Sequence, residues 1–169
     1  GVSTISFNNL LQNTIYNLYL KSNCSGYTST WSSAHTFKTE YLIPRPWFEP
    51  FSTSTVPVGI TSDLTLSNSA TIMPGAFTYY FQRNLVGAGA TSTTTTMNVG
   101  PIAAGDFLSF NYGYRNYYAD GTGTGNLEVF LSTDYGSNYT SIGLIPLEAN
   151  LGWQTFEYPL NSYVGQNVK

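Results

Sequence analysis

The stretch that decides the fold is DFLSFNYGYR, from Asp106 to Arg115. Leu108, Phe110, Tyr112 and Tyr114 take alternate positions, and Ser109, Asn111, Gly113 and Arg115 fill the gaps. Successive side chains of an extended strand point to opposite faces, so this period of two makes one apolar face and one wet face. A surface helix would instead repeat its apolar residues three and four apart, and no window of the chain sustains that spacing.

Outward from this stretch the same signature recurs. Tyr16, Leu18 and Leu20 alternate with Asn17, Tyr19 and Lys21. Further strands are expected over Trp31–Thr39, Leu64–Leu66, Phe77–Arg83, Thr91–Val99 and Trp153–Leu160, and one in which Leu127, Val129 and Leu131 face inward. Clusters of Gly, Asn, Asp, Ser and Pro separate them, which together predicts an all-β chain. Asp120 to Asn126 reads as a Gly-rich loop. Between Tyr41 and Pro50, the prolines Pro44, Pro46 and Pro50 interrupt any ladder, so a domain boundary is expected near Glu40.

Composition narrows the functional classes. Charged residues make up only 9% of the chain, while 41% is hydrophobic and 16% aromatic, which gives ample material for a core and argues against disorder. The net charge is −3, and the six basic residues are scattered singly. A phosphate backbone is gripped by clustered Lys and Arg, so nucleic acid is not an expected partner. No apolar run approaches the roughly 20 residues of a membrane-spanning helix, so membrane insertion is not expected either. Cys24 is the single cysteine, which leaves no disulfide framework within the chain.

Two resemblances carry the reading further. Leu10, Asn13, Thr14 and Tyr16 have the spacing of a fibronectin type III corner, with Gln12 where that family usually has Pro. Cys24, Ser29, Trp31, Ser32, Phe37 and Thr39 continue the pattern, so residues 1–40 resemble the C-terminal part of a fibronectin type III domain from a bacterial surface protein. The resemblance implies that the Tyr16 ring packs inward while its hydroxyl caps nearby backbone. Residues 41–50 form a Pro-rich linker and first strand. Residues 45–169 resemble the cleaved-adhesin, or choice-of-anchor, jelly-roll domains of gingipain-type haemagglutinins, which are MAM-like. The match runs through Phe48, Glu49, Phe51, Pro57 and Gly59, then Gly105, Asp106, Leu108, Phe110 and Tyr112. It continues through Leu127 to Val129, Ser132 to Asp134, Gly136, Tyr139, Trp153, Gln154, Leu160, Tyr163, Gly165 and Gln166. It departs at Ile60, where the family usually has an aromatic, and in lacking the family's last strands with their acidic pair. Half a fibronectin sandwich leaves a sheet face uncovered, so neighbouring domains of a longer chain are expected.

The candidate sites follow. The resemblance implies a structural calcium near Glu49; calcium takes about six to eight oxygen ligands, and Asp63 and Asp106 are candidate co-ligands. Tyr117 and Tyr118, flanked by Arg115, Asn116 and Asp120, could stack on a sugar ring while polar neighbours bond its hydroxyls; ordinary packing at a strand end is the plainer alternative. The Ser132–Tyr139 segment fits an Asp-box, in which Asp134 accepts turn amides and Gly136 supplies a positive φ. It reads as a fold-stabilising turn or, alternatively, as a calcium or sugar contact. Gly121, Gly123 and Gly125 are followed by no Lys-Ser/Thr and no helix, which removes a phosphate-loop role.

Catalytic chemistry has little to work with. Cys24 and His35 lack a third group, the possible carboxylate pair Glu128 and Glu157 has Glu128 on the outward face of its strand, and one His with one Cys is too few for zinc. The resemblances therefore imply a non-catalytic adhesion module of a large secreted bacterial protein at the cell surface, of a kind often exported by type IX secretion. It would be carbohydrate-binding or would bind host or matrix protein. A structural spacer, or an accessory domain of a secreted protease or glycosidase, is the alternative.

Overall fold

The structure is a computed structural model and describes residues 4–75, 78–87, 89–115, 124–147 and 152–169. It is all-β: among the described residues there are strands and one 3-10 turn, Asn161–Tyr163, and no α-helix. No helix among them is long and apolar enough to cross a membrane. The strands are β1 (Ile15–Leu18), β2 (Asn23–Cys24), β3 (Tyr27–Thr28), β4 (His35–Lys38), β5 (Leu42–Ile43), β6 (Ile60–Ser62) and β7 (Thr65–Ser67). They continue with β8 (Tyr80–Gln82), β9 (Thr94–Thr96), β10 (Asn98–Val99), β11 (Phe107–Tyr112), β12 (Gly125–Leu131), β13 (Thr140–Leu147) and β14 (Gln154–Pro159).

The chain divides into two compact units, Gly1–Leu42 and Ile43–Lys169. In the first, β1 pairs antiparallel with β4, placing Tyr16 opposite Phe37. Their rings stack with centroids 5.8 Å apart, and the Tyr16 hydroxyl accepts the Leu11 amide at 2.9 Å. The ring therefore faces inward while the hydroxyl satisfies backbone at the corner. A short hairpin follows in which Cys24 pairs with Tyr27 across a turn containing Gly26 at φ +83°. The expected strand over Trp31–Thr39 is shorter than its alternation implied: only His35–Lys38 is regular.

The second unit is built on two long ladders. β11 pairs with β14 so that Phe110 lies opposite Phe156, with the rings stacked at 5.1 Å. β12 pairs with β13 over Gly125–Leu131, with a bulge between Val129 and Phe130. Leu108, Phe110 and Tyr112 are half-buried while Phe107, Ser109 and Asn111 are exposed, which is the alternation read from the sequence. Leu127 and Val129 are half-buried and Leu131 buried, with Glu128 exposed between them. Shorter antiparallel ladders join β6 to β9 and β7 to β8, and β5 runs beside β10.

The core of this unit is Ile102, Leu131, Leu160 and Val168, with Leu108, Ile142, Tyr158 and Tyr163 packed against it. It thus draws on β11, β12, β13, β14 and the 3-10 turn together. The last residues stitch the group: Val168 exchanges two backbone bonds with Val99, and Lys169 exchanges two with Ser132. Within the proline-interrupted stretch 41–50, β5 lies before the first proline, and the Ile43 carbonyl accepts the Gly100 amide. One expectation needs correction here. Thr91–Val99 is not one strand, since Met97 separates β9 from β10 and its amide turns to the Gly59 carbonyl at 2.6 Å.

Candidate functional site

Three carboxylates, Glu49, Asp106 and Asp134, accept backbone amides within four residues of themselves. In the Ser132–Tyr139 turn, Asp134 Oδ1 accepts the Asn138 amide at 2.8 Å and Oδ2 accepts Asn138 Nδ2 at 2.6 Å. The Ser132 hydroxyl donates to Asp134 Oδ1 at 2.8 Å and accepts the Gly136 amide at 2.8 Å. Tyr135 and Gly136 both take positive φ, +62° and +89°, which lets the chain reverse over the Ser132 hydroxyl. The Asn138 side chain, then its amide, then the Ser132 hydroxyl hold the Asp134 carboxyl down at about 2, because each bond favours the charged form. The sequence pointed to Asp134 and Gly136. It gave no role to Ser132 and Asn138, although a Ser two residues before an Asp is a recognisable turn signal.

The three acidic residues expected near calcium are each engaged in a separate place. Glu49 Oε1 accepts the Phe51 amide at 2.7 Å, closing a turn in which Phe51 takes φ +50°. Asp63 Oδ1 accepts the Ser92 hydroxyl at 2.6 Å and the Thr93 amide at 2.7 Å, which fastens the approach to β7 onto the approach to β9. Those two bonds, Ser92 first, favour the charged form and hold the Asp63 pKa below the ordinary carboxylate value. Asp106 Oδ2 accepts the Ala103 amide at 2.8 Å and meets Arg45 Nη1 at 3.2 Å. Arg45 Nε also donates to the Pro101 carbonyl, so this pair secures the entrance to β11. Among the described residues no three His, Cys, Asp or Glu side chains gather as a metal-binding group.

The aromatic candidate lies past the end of β11. Tyr112 and Tyr114 are half-buried, continuing the inward face. Gly113 sits where a Cβ would fall 1.9 Å from Met73 Cε, so the backbone runs directly against that buried methionine. Arg115 Nη1 donates to the Thr71 carbonyl at 2.6 Å and to the Ile72 carbonyl at 3.3 Å. The guanidinium therefore anchors the end of this strand to the turn that begins at Ser69. Tyr117, Tyr118 and Asp120 lie outside the described residues, as does Asn116.

The residues weighed for catalysis are spread out. Cys24 and His35 are both exposed, on β2 and β4. Glu128 and Glu157 are exposed on strands of different ladders, opposite Leu144 and Ser109 respectively. Comparison of the chain with protein-family models, with curated proteins and with solved structures returns no match, so its function has to be argued from these residues alone.

Proposed function

We propose that the chain is a non-catalytic binding segment of a secreted bacterial surface protein, in which a fibronectin-like unit precedes a jelly-roll-like unit. Tyr117 and Tyr118 form the contact surface for a glycan or for host or matrix protein. The observation that best supports this is the Arg115 tie to the Thr71 and Ile72 carbonyls, which anchors the chain immediately before the tyrosine pair. A binding segment needs a rigid scaffold, and the stacked Phe110–Phe156 pair of the β11–β14 ladder supplies one. The test is a glycan and matrix-protein array probed with the chain and with the Tyr117→Ala/Tyr118→Ala variant. Each is run in calcium and in chelator, which decides the calcium expectation attached to Glu49, Asp63 and Asp106. A specific signal lost in the variant is expected; a blank array from folded protein overturns the reading.

A structural spacer is the second reading. It is favoured by the way Glu49, Asp63, Asp106 and Asp134 each accept a backbone amide of this chain. Under it the array stays blank, and the double tyrosine variant matches the parent in every respect.

A further inference from the structure

The first unit carries an aromatic surface that the strand pattern assigns to its outer side. Tyr16 and Leu18 are half-buried toward Phe37, while Ile15 and Asn17 are exposed on the opposite face. A period of two continues that exposed face to Tyr19 and Lys21. Pairing persists beyond β1, since the Ser32 amide donates to the Leu20 carbonyl at 2.8 Å and the Ser29 amide to Ser22 at 3.0 Å. Those bonds bring Trp31 beside Lys21, whose ammonium stands 5.5 Å from the indole centroid. Trp31 is 64% exposed and Tyr19 50% exposed. With Ser32 they line a shallow groove of about 380 Å³. Trp31 and Tyr19 are therefore not the inward face of this ladder, which belongs to Tyr16, Leu18 and Phe37.

We propose that this groove binds a carboxylated saccharide of the uronic-acid type. Indole and phenol faces take the C–H face of a pyranose ring by burying apolar area at little entropic cost. The Lys21 ammonium, held beside the indole, is close enough to pair with a carboxylate on a ligand stacked against the aromatic surface. Charge distribution favours an acidic ligand. Residues 1–42 hold Lys21, Lys38 and Glu40, whereas residues 43–169 hold four basic residues and eight acidic ones. The first unit is thus locally positive in an acidic chain, which steers anions toward it. This groove is in the other unit from the Tyr117–Tyr118 surface, so the two readings stand or fall separately.

The experiment titrates the full chain with tetragalacturonate and with neutral maltotetraose, by calorimetry and tryptophan fluorescence. The variants are Trp31→Ala, Trp31→Phe, Lys21→Gln and the Tyr117→Ala/Tyr118→Ala pair. Saturable binding of the acidic sugar is expected, weakened about tenfold by Trp31→Ala and largely kept by Trp31→Phe. Lys21→Gln, a surface change that leaves the fold intact, should weaken it by roughly threefold to tenfold and abolish its salt dependence. The tyrosine pair should bind like the parent. Three outcomes overturn the inference: no binding of the acidic sugar, equal binding of the neutral one, or binding that Lys21→Gln and Trp31→Ala leave untouched while the tyrosine pair loses it.

Discussion

Ser132 exposes only 2% of its surface, yet its hydroxyl donates to Asp134 and accepts the Gly136 amide. Replacing it with Ala leaves the half-buried Gly136 amide without that partner, and such a loss costs about 1–3 kcal/mol. Ser132→Ala should lower the denaturation midpoint accordingly without changing the denaturant slope; an unchanged midpoint would show that water replaces the hydroxyl freely. Asp134 sets a pH dependence at the same place. Its carboxyl sits at about 2 in the fold against 3.8 for the free side chain. A depressed folded value means that the unfolded chain binds the proton first, so the stabilisation is complete above about 3.8 and fades as pH falls toward 2. An acid titration of stability should show this loss between those values, and Asp134→Asn should flatten it. The residue scale was partly legible in the sequence. Asp134 and Gly136 could be read because turn chemistry is local. The work of Asp63 could not, because its partners Ser92 and Thr93 lie about thirty positions away and only folding brings them near.

At the scale of elements, legibility depended on whether alternation survived intact. It does through β11, where Phe107 to Tyr112 alternates exposed and half-buried without a break. The eight-residue strand Thr140–Leu147 is the longest among the described residues, yet its sequence TSIGLIPL hides it. A bulge at Ile142 throws the apolar positions out of phase, and Gly143 and Pro146 read as strand breakers. The structure shows why glycine is there. A Cβ on Gly143 would lie 2.7 Å from Phe156 Cε2 and 2.9 Å from Cζ, so the ring of β14 rests on the bare backbone of β13. This contact holds the two long ladders together. Gly143→Ala should therefore destabilise the second unit by about 1–3 kcal/mol, the usual cost of overpacking. Combining it with Phe156→Leu should recover part of that loss, because the smaller side chain relieves the clash. A double-mutant cycle measured by urea denaturation checks this, and strictly additive losses would mean that the two positions do not touch.

For the whole molecule, the deciding contrast is between the two units. The second has a core that joins four strands and the chain's last residues through Ile102, Leu131, Leu160 and Val168. In the first, no residue among those described is buried; Tyr16, Leu18 and Phe37 are half-covered, and Ile5, Phe7, Leu11, Ile15 and Leu20 are at least half exposed. Folding must offset roughly 1–2 kcal/mol of backbone entropy per residue, and a segment this short that buries so little apolar surface cannot do so alone. Produced separately, residues 43–169 should unfold in one cooperative transition, while residues 1–42 should show no transition and the circular dichroism of a coil. Within 43–169, Val168→Ala should cost roughly 1–3 kcal/mol, because it trims the core at the point where the chain end is stitched between Val99 and Ser132. A sigmoidal melt from residues 1–42 would mean that the exposed side chains find one another without help. The corner formed by the Tyr16 hydroxyl and the Leu11 amide, together with the ring stack on Phe37, would then be enough to hold that ladder.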